Sequence, residues 1–437
     1  MAQSKLFTMD RLRFAFSRIN EHLWVKPLLL CVLSIGGTFI AMLADNIGLS
    51  RVVPDITLDS VESLLTIMAS SMLVIATFAV GSMVAAYASA STGATPRSIP
   101  LVIADDVTQN ALSAFIGAFI FSIVSLITVK NDMFDAAGRF AIFALTLLVF
   151  AIVIITFVRW VDRIARLGRV VNTIEKAEKA AGDALERRRH APTLGALTAS
   201  PYQAADKGAP ICSSTVGYVQ HIDLETLQSC AEAHDCHVTV AALPGTFVHT
   251  RLPLLLVEGD IEEGKAFETE AFASAFTISS SRTFEDDPRF GLIALSEIAD
   301  KALSPGINDP GTAINVIGTF VRLFTLWQSP VEKNQLQAIT YDRISVPELM
   351  IDDLFDDAFT PIARDGAGII EVSIRLQKAL FVLAQGDDQT MAAAAKKHSR
   401  MALARSESVM SLQDDIDAVR RTAEFSALPP LTEPSSP

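Results

Sequence analysis

The sequence predicts a membrane protein with four transmembrane α-helices followed by an α+β cytoplasmic domain, itself a small β-module plus a helical C-terminal part. Three observations lead there: long uncharged runs, a sharp change of charge along the chain, and a change of period in its second half. Residues 63–91 run for 29 positions without Asp, Glu, Lys, Arg or His. A helix needs only ~20 apolar residues to cross a ~30 Å hydrocarbon layer. Residues 25–44, 111–129 and 140–158 pass the same test, broken only by Lys26 at an edge. Backbone groups in lipid must be satisfied within their own segment, so each run is read as a helix. The first begins too late and runs too long for a cleavable signal.

Lys and Arg near the span ends set the orientation. Lys5, Arg11, Arg13, Arg18 and Lys26 precede the first span, and Arg159, Arg163, Arg166 and Arg169 follow the fourth, whereas the connecting loops hold few cations. Both termini are expected in the cytoplasm, with the basic stretch 1–24 inside. Residues 1–189 carry 18 Lys and Arg against 15 Asp and Glu, a net +3, and residues 190–437 carry 18 against 34, a net −16. The basic half suits a bilayer with anionic lipid, and the acidic half repels nucleic acid, which is excluded as a partner.

After the spans, 159–189 reads as a basic helical stalk. Trp160, Ile164, Leu167, Val171, Ile174 and Ala181 form a short seam that fits either self-association or folding back on the soluble part. The Ala-, Pro- and Ser-rich stretch 190–212 reads as a linker. In the β-rich module 213–285, strands are expected over 217–223, 237–241, 247–257 and 274–280, with Asp223 capping a helix at 224–234 and Pro244-Gly245 making a turn. In the helical domain 286–424, helices are expected at 289–303, 311–327, 346–362, 366–385 and 388–424. The four-proline tail 425–437 reads as disordered.

Several segments carry a family signature: Thr95-Pro96-Arg97, Asp105-Asp106-Val-Thr-Gln109, Gly217-Tyr-Val-Gln-His-Ile-Asp223, Leu243-Pro244-Gly245-Thr-Phe247, and Arg282-Thr-Phe-Glu-Asp-Asp287-Pro-Arg289-Phe290-Gly291 leading to Ser304-Pro305-Gly306-Ile307-Asn308-Asp309-Pro310. In this order, over nearly the whole chain, they resemble the predicted membrane protein family called domain of unknown function 2254. The resemblance implies a four-span bacterial inner-membrane protein and brings no activity with it.

On their own chemistry, these motifs suggest two site regions. Arg97, Asp106 and Gln109 belong to a loop expected at the inner leaflet. Arg282, Asp287, Arg289, Asn308 and Asp309 form the cytoplasmic motif. Asp309 before Pro310 is a strong helix start, and the new helix's free N–H groups, with Arg282 or Arg289 nearby, would suit a phosphate or carboxylate. The alternative is a rigid corner.

Other constellations carry less. Cys230, His234, Cys236 and His237 match no standard zinc spacing, and neither metal nor cofactor is expected. Asp352, Asp353, Asp356 and Asp357 read as a solvated acidic face rather than a cation site. No Walker loop, Gly-x-Ser-x-Gly elbow or His-Glu-x-x-His occurs, so an enzyme is not expected.

The second span holds the mechanistic hint. Thr66, Ser70, Leu73, Thr77, Gly81 and Val84 share one helical strip, small and mildly polar, with Leu73 and Val84 as apolar interruptions. Such a strip suits close helix packing or a pore lining gated by dewetting. The cores hold no ionisable group, which disfavours coupled transport. The expectations are a homo-oligomeric passive channel or channel-like protein with a cytoplasmic sensing or gating domain, or a non-conducting scaffold or signalling protein. A small anion or a cytosolic protein is the expected partner of the soluble domain.

Overall fold

A computed structural model of the chain describes residues 25–43, 54, 56–93, 95–103, 106–164, 169–199, 208–259, 269–332 and 334–427. The basic N-terminus, most of the first loop, Leu167 and the tail beyond Ala427 lie outside these residues. The chain forms two compact units, residues 1–173 and 174–437.

The first unit is helical. Its elements are α1 (Val25–Leu43), α2 (Leu58–Gly93), a 3-10 turn at Pro96–Ser98, α3 (Ile99–Ile103), α4 (Asp106–Lys130) and α5 (Ala136–Ile164). Among the described residues, three helices are long and apolar enough to cross a membrane, over Leu58–Ser89, Val107–Lys130 and Ala136–Ile164. The stretch read as the first span is α1, a 19-residue helix joined to α4 by a buried hydroxyl pair, Thr38 Oγ1 to Ser125 Oγ at 3.1 Å. Such bonds hold helices together where hydrophobicity cannot.

Inside this bundle, Val61, Leu65, Met68, Met72, Ala76 and Ala79 of α2 meet Ala111, Phe115, Ala118 and Phe121 of α4. Steps of three and four residues place the α2 set on one face. Trp160 of α5 is fully buried, with ring centroids of Phe78, Phe115 and Phe157 each about 6 Å away. One ion pair ties the N-terminal turns of α2 to the end of α4, Lys130 to Glu62 at 2.8 Å.

Helix α6, Val170–His190, begins in the last residues of the first unit and continues as the first element of the second. Its chain then builds β1 (Ala196–Thr198), β2 (Ala209–Cys212), β3 (Gly217–Ile222), α7 (Leu224–Ala233), β4 (His237–Val240), β5 (Phe247–Val248), β6 (Pro253–Glu258), α8 (Thr269–Ala273) and β7 (Phe276–Ser279). After these come α9 (Pro288–Leu303), α10 (Pro310–Gln328), β8 (Tyr341–Val346), α11 (Ile351–Asp365), α12 (Ile370–Ala384), α13 (Gln389–Val409) and α14 (Gln413–Ala423).

Two sheets result. The larger has the order β1-β8-β4-β6-β2, with β8 parallel to both β1 and β4 and the remaining pairs antiparallel. The smaller is antiparallel, β5-β3-β7. Val238, Val240, Leu255, Val257, Ile344 and Val346 share one core with Leu227 and Ala231 of α7 and Phe272 of α8. In the helical part, Phe320, Phe324, Phe355 and Phe359 pack ring on ring. Gln377 and Ser399 exchange hydrogen bonds between α12 and α13.

Several expectations need correcting. Residues 341–346 form strand β8, where Val346 was expected to start a helix; that helix, α11, starts at Ile351. The single strand expected over 247–257 is two, β5 and β6, and the long helix expected over 388–424 is broken between Val409 and Gln413. Strands β1 and β2 fall in the stretch read as linker. The seam of the stalk divides, with Trp160 in the first unit's core and Ile174 and Ala181 buried in the second unit. Gly291 of α9 lies so near α6 that an added Cβ would stand 2.5 Å from that of Ala181, and Glu178 takes both arms of Arg322 from α10 at 2.6 Å. This part of the stalk therefore folds back onto its own soluble unit.

Candidate functional site

The motif residues 282–291 are organised around one buried carboxylate. Asp287 is 1% exposed and caps α9 by accepting from the Phe290 N–H at 3.2 Å. Arg282 donates Nε and Nη2 to its two oxygens at 2.6 and 2.9 Å, with its guanidinium 5.4 Å above the Phe290 ring. Burial pushes the Asp287 carboxyl above its ordinary range, and Arg282 pulls it back. Gly245 explains the turn beside it: at φ +93°, with no room for a Cβ against the Asp287 carboxylate, only glycine fits.

Arg289, in the first turn of α9, engages a different pair of carboxylates. It holds Asp357 at 2.6 and 3.2 Å and Asp353 at 2.7 Å. Lys397 reaches Asp352 at 3.2 Å, and His398 stands 3.4 Å from Asp356. The acidic stripe of α11, expected to be solvated, is thus met by cations from α9 and α13. Burial lowers the His398 pKa, opposed by Asp356.

Asn308 and Asp309 belong to a different place. Asp309 caps α10, accepting from Thr312 N at 3.1 Å and Thr312 Oγ1 at 2.6 Å, with Pro310 opening the helix. Asn308 takes φ +50°, a conformation asparagine tolerates. The 16-residue helix α9 separates this corner from Asp287 by roughly 24 Å. Arg282 and Arg289 therefore sit at the opposite end of α9, each engaged with carboxylates.

In the first unit, Gln109 is buried and donates to the Ile103 carbonyl at 3.2 Å, which Tyr87 Oη also reaches at 3.4 Å. That pair clasps the turn between α2 and α4. Arg97 is exposed in the 3-10 turn, and Asp106 is the first residue of α4. Thr66, Ser70, Leu73, Thr77, Gly81 and Val84 all lie on the face of α2 turned away from the bundle. Ser70 and Thr77 donate their hydroxyls to the carbonyls of Thr66 and Leu73 on their own helix.

One opening in the second unit has no counterpart among the expected sites. It is a cleft of about 570 Å³, where the end of α6 supplies Arg187, Arg188 and His190, the loop before α9 supplies Glu285 and Asp286, and Leu194 and Gln337 form other walls. Gly195, at φ +81°, admits the Gln337 amide where a Cβ would stand 2.6 Å from Nε2. Arg188 is 4% exposed; Nη2 donates to the Pro347 carbonyl at 2.9 Å, and Nε is buried without a partner. Desolvation lowers its pKa to about 10, while Glu348 and Asp286 act in the opposite sense. Arg187 donates to the Glu285 carbonyl, and Asp286 stands 2.6 Å from His221 Nδ1. The basic run 187–190 was the only signal for this cleft in the sequence; its other walls come from residues about 100 and 150 positions away.

No curated protein and no solved structure matches the chain. Residues 20–381 match the family described as predicted membrane protein (DUF2254), and the chain, with its apolar helices and mixed helix-and-sheet second unit, belongs to that family.

Proposed function

We propose that the protein is a homo-oligomeric, channel-like protein of the bacterial inner membrane. In this reading α1 adds a fourth crossing, both termini are cytoplasmic, and the second unit senses or gates. Copies meet along the outer strip of α2, with Thr66, Ser70, Thr77 and Gly81 beside a passive path and Leu73 and Val84 as its apolar constriction. The observation that carries the reading is the two-sidedness of α2. Leu65, Met68 and Met72 are buried against its own bundle, while among the described residues Thr66, Ser70, Thr77 and Gly81 stay exposed beside the equally exposed Ile67, Val74 and Phe78, and small residues let transmembrane helices approach one another closely.

Cysteine substitution tests it. Ser70→Cys and Thr77→Cys should give oxidative dimers in native membranes, absent for Ile127→Cys on the outer face of α4. Purified protein should conduct in planar bilayers. A monomer in nanodiscs with no cross-link would overturn the assembly.

A non-conducting scaffold or signalling role is favoured by one observation. The Ser70 and Thr77 hydroxyls are bound to their own helix, as in a dry contact. Cross-links without conductance would select that reading, with a cytosolic protein as partner of the second unit.

A further inference from the structure

Arg188 presents a problem in electrostatics. A buried guanidinium is costly unless it is paired and its donors are matched. Its side chain carries five N–H groups, yet the Pro347 carbonyl is its sole hydrogen-bond acceptor among the described residues. The carboxylates that influence it, Glu348 and Asp286, make no ion pair with it within contact distance among those residues. Arg188 nevertheless lines an open cleft, beside Arg187 and His190.

We propose that this cleft binds a small organic oxyanion, a carboxylate or phosphate monoester, whose charged group is held by Arg188 and Arg187. An oxyanion completes the missing pairing, since guanidinium groups match carboxylate and phosphate geometry. The volume, about 570 Å³, lies within the range of small-molecule sites and exceeds what one phosphate fills. The ligand therefore has a body.

That body meets a mixed wall. Leu194, Ala191 and Pro288 are apolar, and Glu186, Glu285 and Asp286 are acidic. Two of these acids have partners of their own: Asp286 has the His221 ring, and Glu186 has Arg189 at 3.8 Å. Their remaining lone pairs favour hydroxyl or amino donors on the ligand and repel a second anionic group. A hydroxylated monoanion or monoester fits this lining better than an inorganic ion or a polyanion. The site is independent of conduction by the first unit.

The test uses the full chain in phosphatidylcholine nanodiscs, following thermal unfolding of the second unit by circular dichroism. Adenosine monophosphate, inorganic phosphate and chloride are compared at equal ionic strength, and a further arm replaces part of the lipid with phosphatidic acid. The expected result is a saturable rise in Tm with adenosine monophosphate, smaller with phosphate and absent with chloride. If the natural source is a lipid headgroup, the rise appears in the phosphatidic acid arm instead. Arg188→Met should weaken binding by about tenfold or more. Ala191→Trp, which fills the cleft and leaves both arginines, should abolish it. No saturable rise in any arm, or a rise that both variants retain, would overturn the proposal.

Discussion

Two arginines of the second unit differ in what surrounds them. Arg282 lies against a carboxylate that matches it atom for atom, and that carboxylate also caps α9. Arg188 is more deeply buried, 4% exposed, and among the described residues finds one carbonyl. A charge that the fold itself neutralises serves the fold. One that the fold encloses without neutralising carries a standing cost, and such a cost is relieved by whatever arrives to pair with it. The denser motif is thus architectural, and the plainer arginine run holds the binding potential.

The largest effect expected from this contrast is at Asp287. Asp287→Ala strands Arg282 and removes the cap, and should destabilise the second unit by about 3–5 kcal/mol, read from denaturant unfolding. Gly245→Ala forces a Cβ into the same carboxylate at positive φ and should cost about 2 kcal/mol by the same measurement.

Asp300, towards the far end of α9, is an acidic counterpart of Arg188. Its Oδ1 is buried without a hydrogen-bond partner, Arg364 stands 3.6 Å from Oδ2, and burial raises its pKa from 3.8 to about 7. The folded state keeps a proton that the unfolded chain releases across that window. Stability therefore falls as pH rises from 3.8 towards about 7, and the loss is complete above it. Asp300→Asn should flatten this slope in unfolding measured across pH.

Smaller effects separate the partners of Arg289. Asp357→Asn, at a side chain 14% exposed, should cost about 1–2 kcal/mol. Asp353→Asn, at 49%, should cost about 0–1 kcal/mol. Arg188→Met should change stability least, within about 1 kcal/mol or towards greater stability, because an apolar group replaces an unmatched charge. If Arg188→Met is as damaging as Asp287→Ala, the contrast between the two arginines fails.

What the sequence revealed follows from where each signal is local. The caps at Asp223, Asp287 and Asp309 are set by side chains reaching three residues along the chain. Asp223 and Asp309 were read in advance. Uncharged length announced the apolar helices in the same way. Strand β8 was missed because it is short and buries only Ile344 and Val346; its identity comes from β1 and β4, far away in sequence. The break between α13 and α14 passes through Met410, Ser411 and Leu412, with no Gly or Pro to mark it. The charge pairing of α11 was hidden because Arg289, Lys397 and His398 are remote, and the cleft because its walls meet only after folding.

The docking of α6 also sets a timetable for the newborn chain. Its partner Arg322 lies 144 residues downstream of Glu178, and β8, which completes the sheet beside β1, comes later still. At ordinary translation speeds that interval is on the order of ten to thirty seconds. For most of it, until α9 emerges with Gly291, the face of α6 that carries Ala181 lacks its native surface, while the first unit's helices have already left the ribosome. The protein's hazard in synthesis is therefore concentrated in one short, water-exposed helix rather than in its membrane spans.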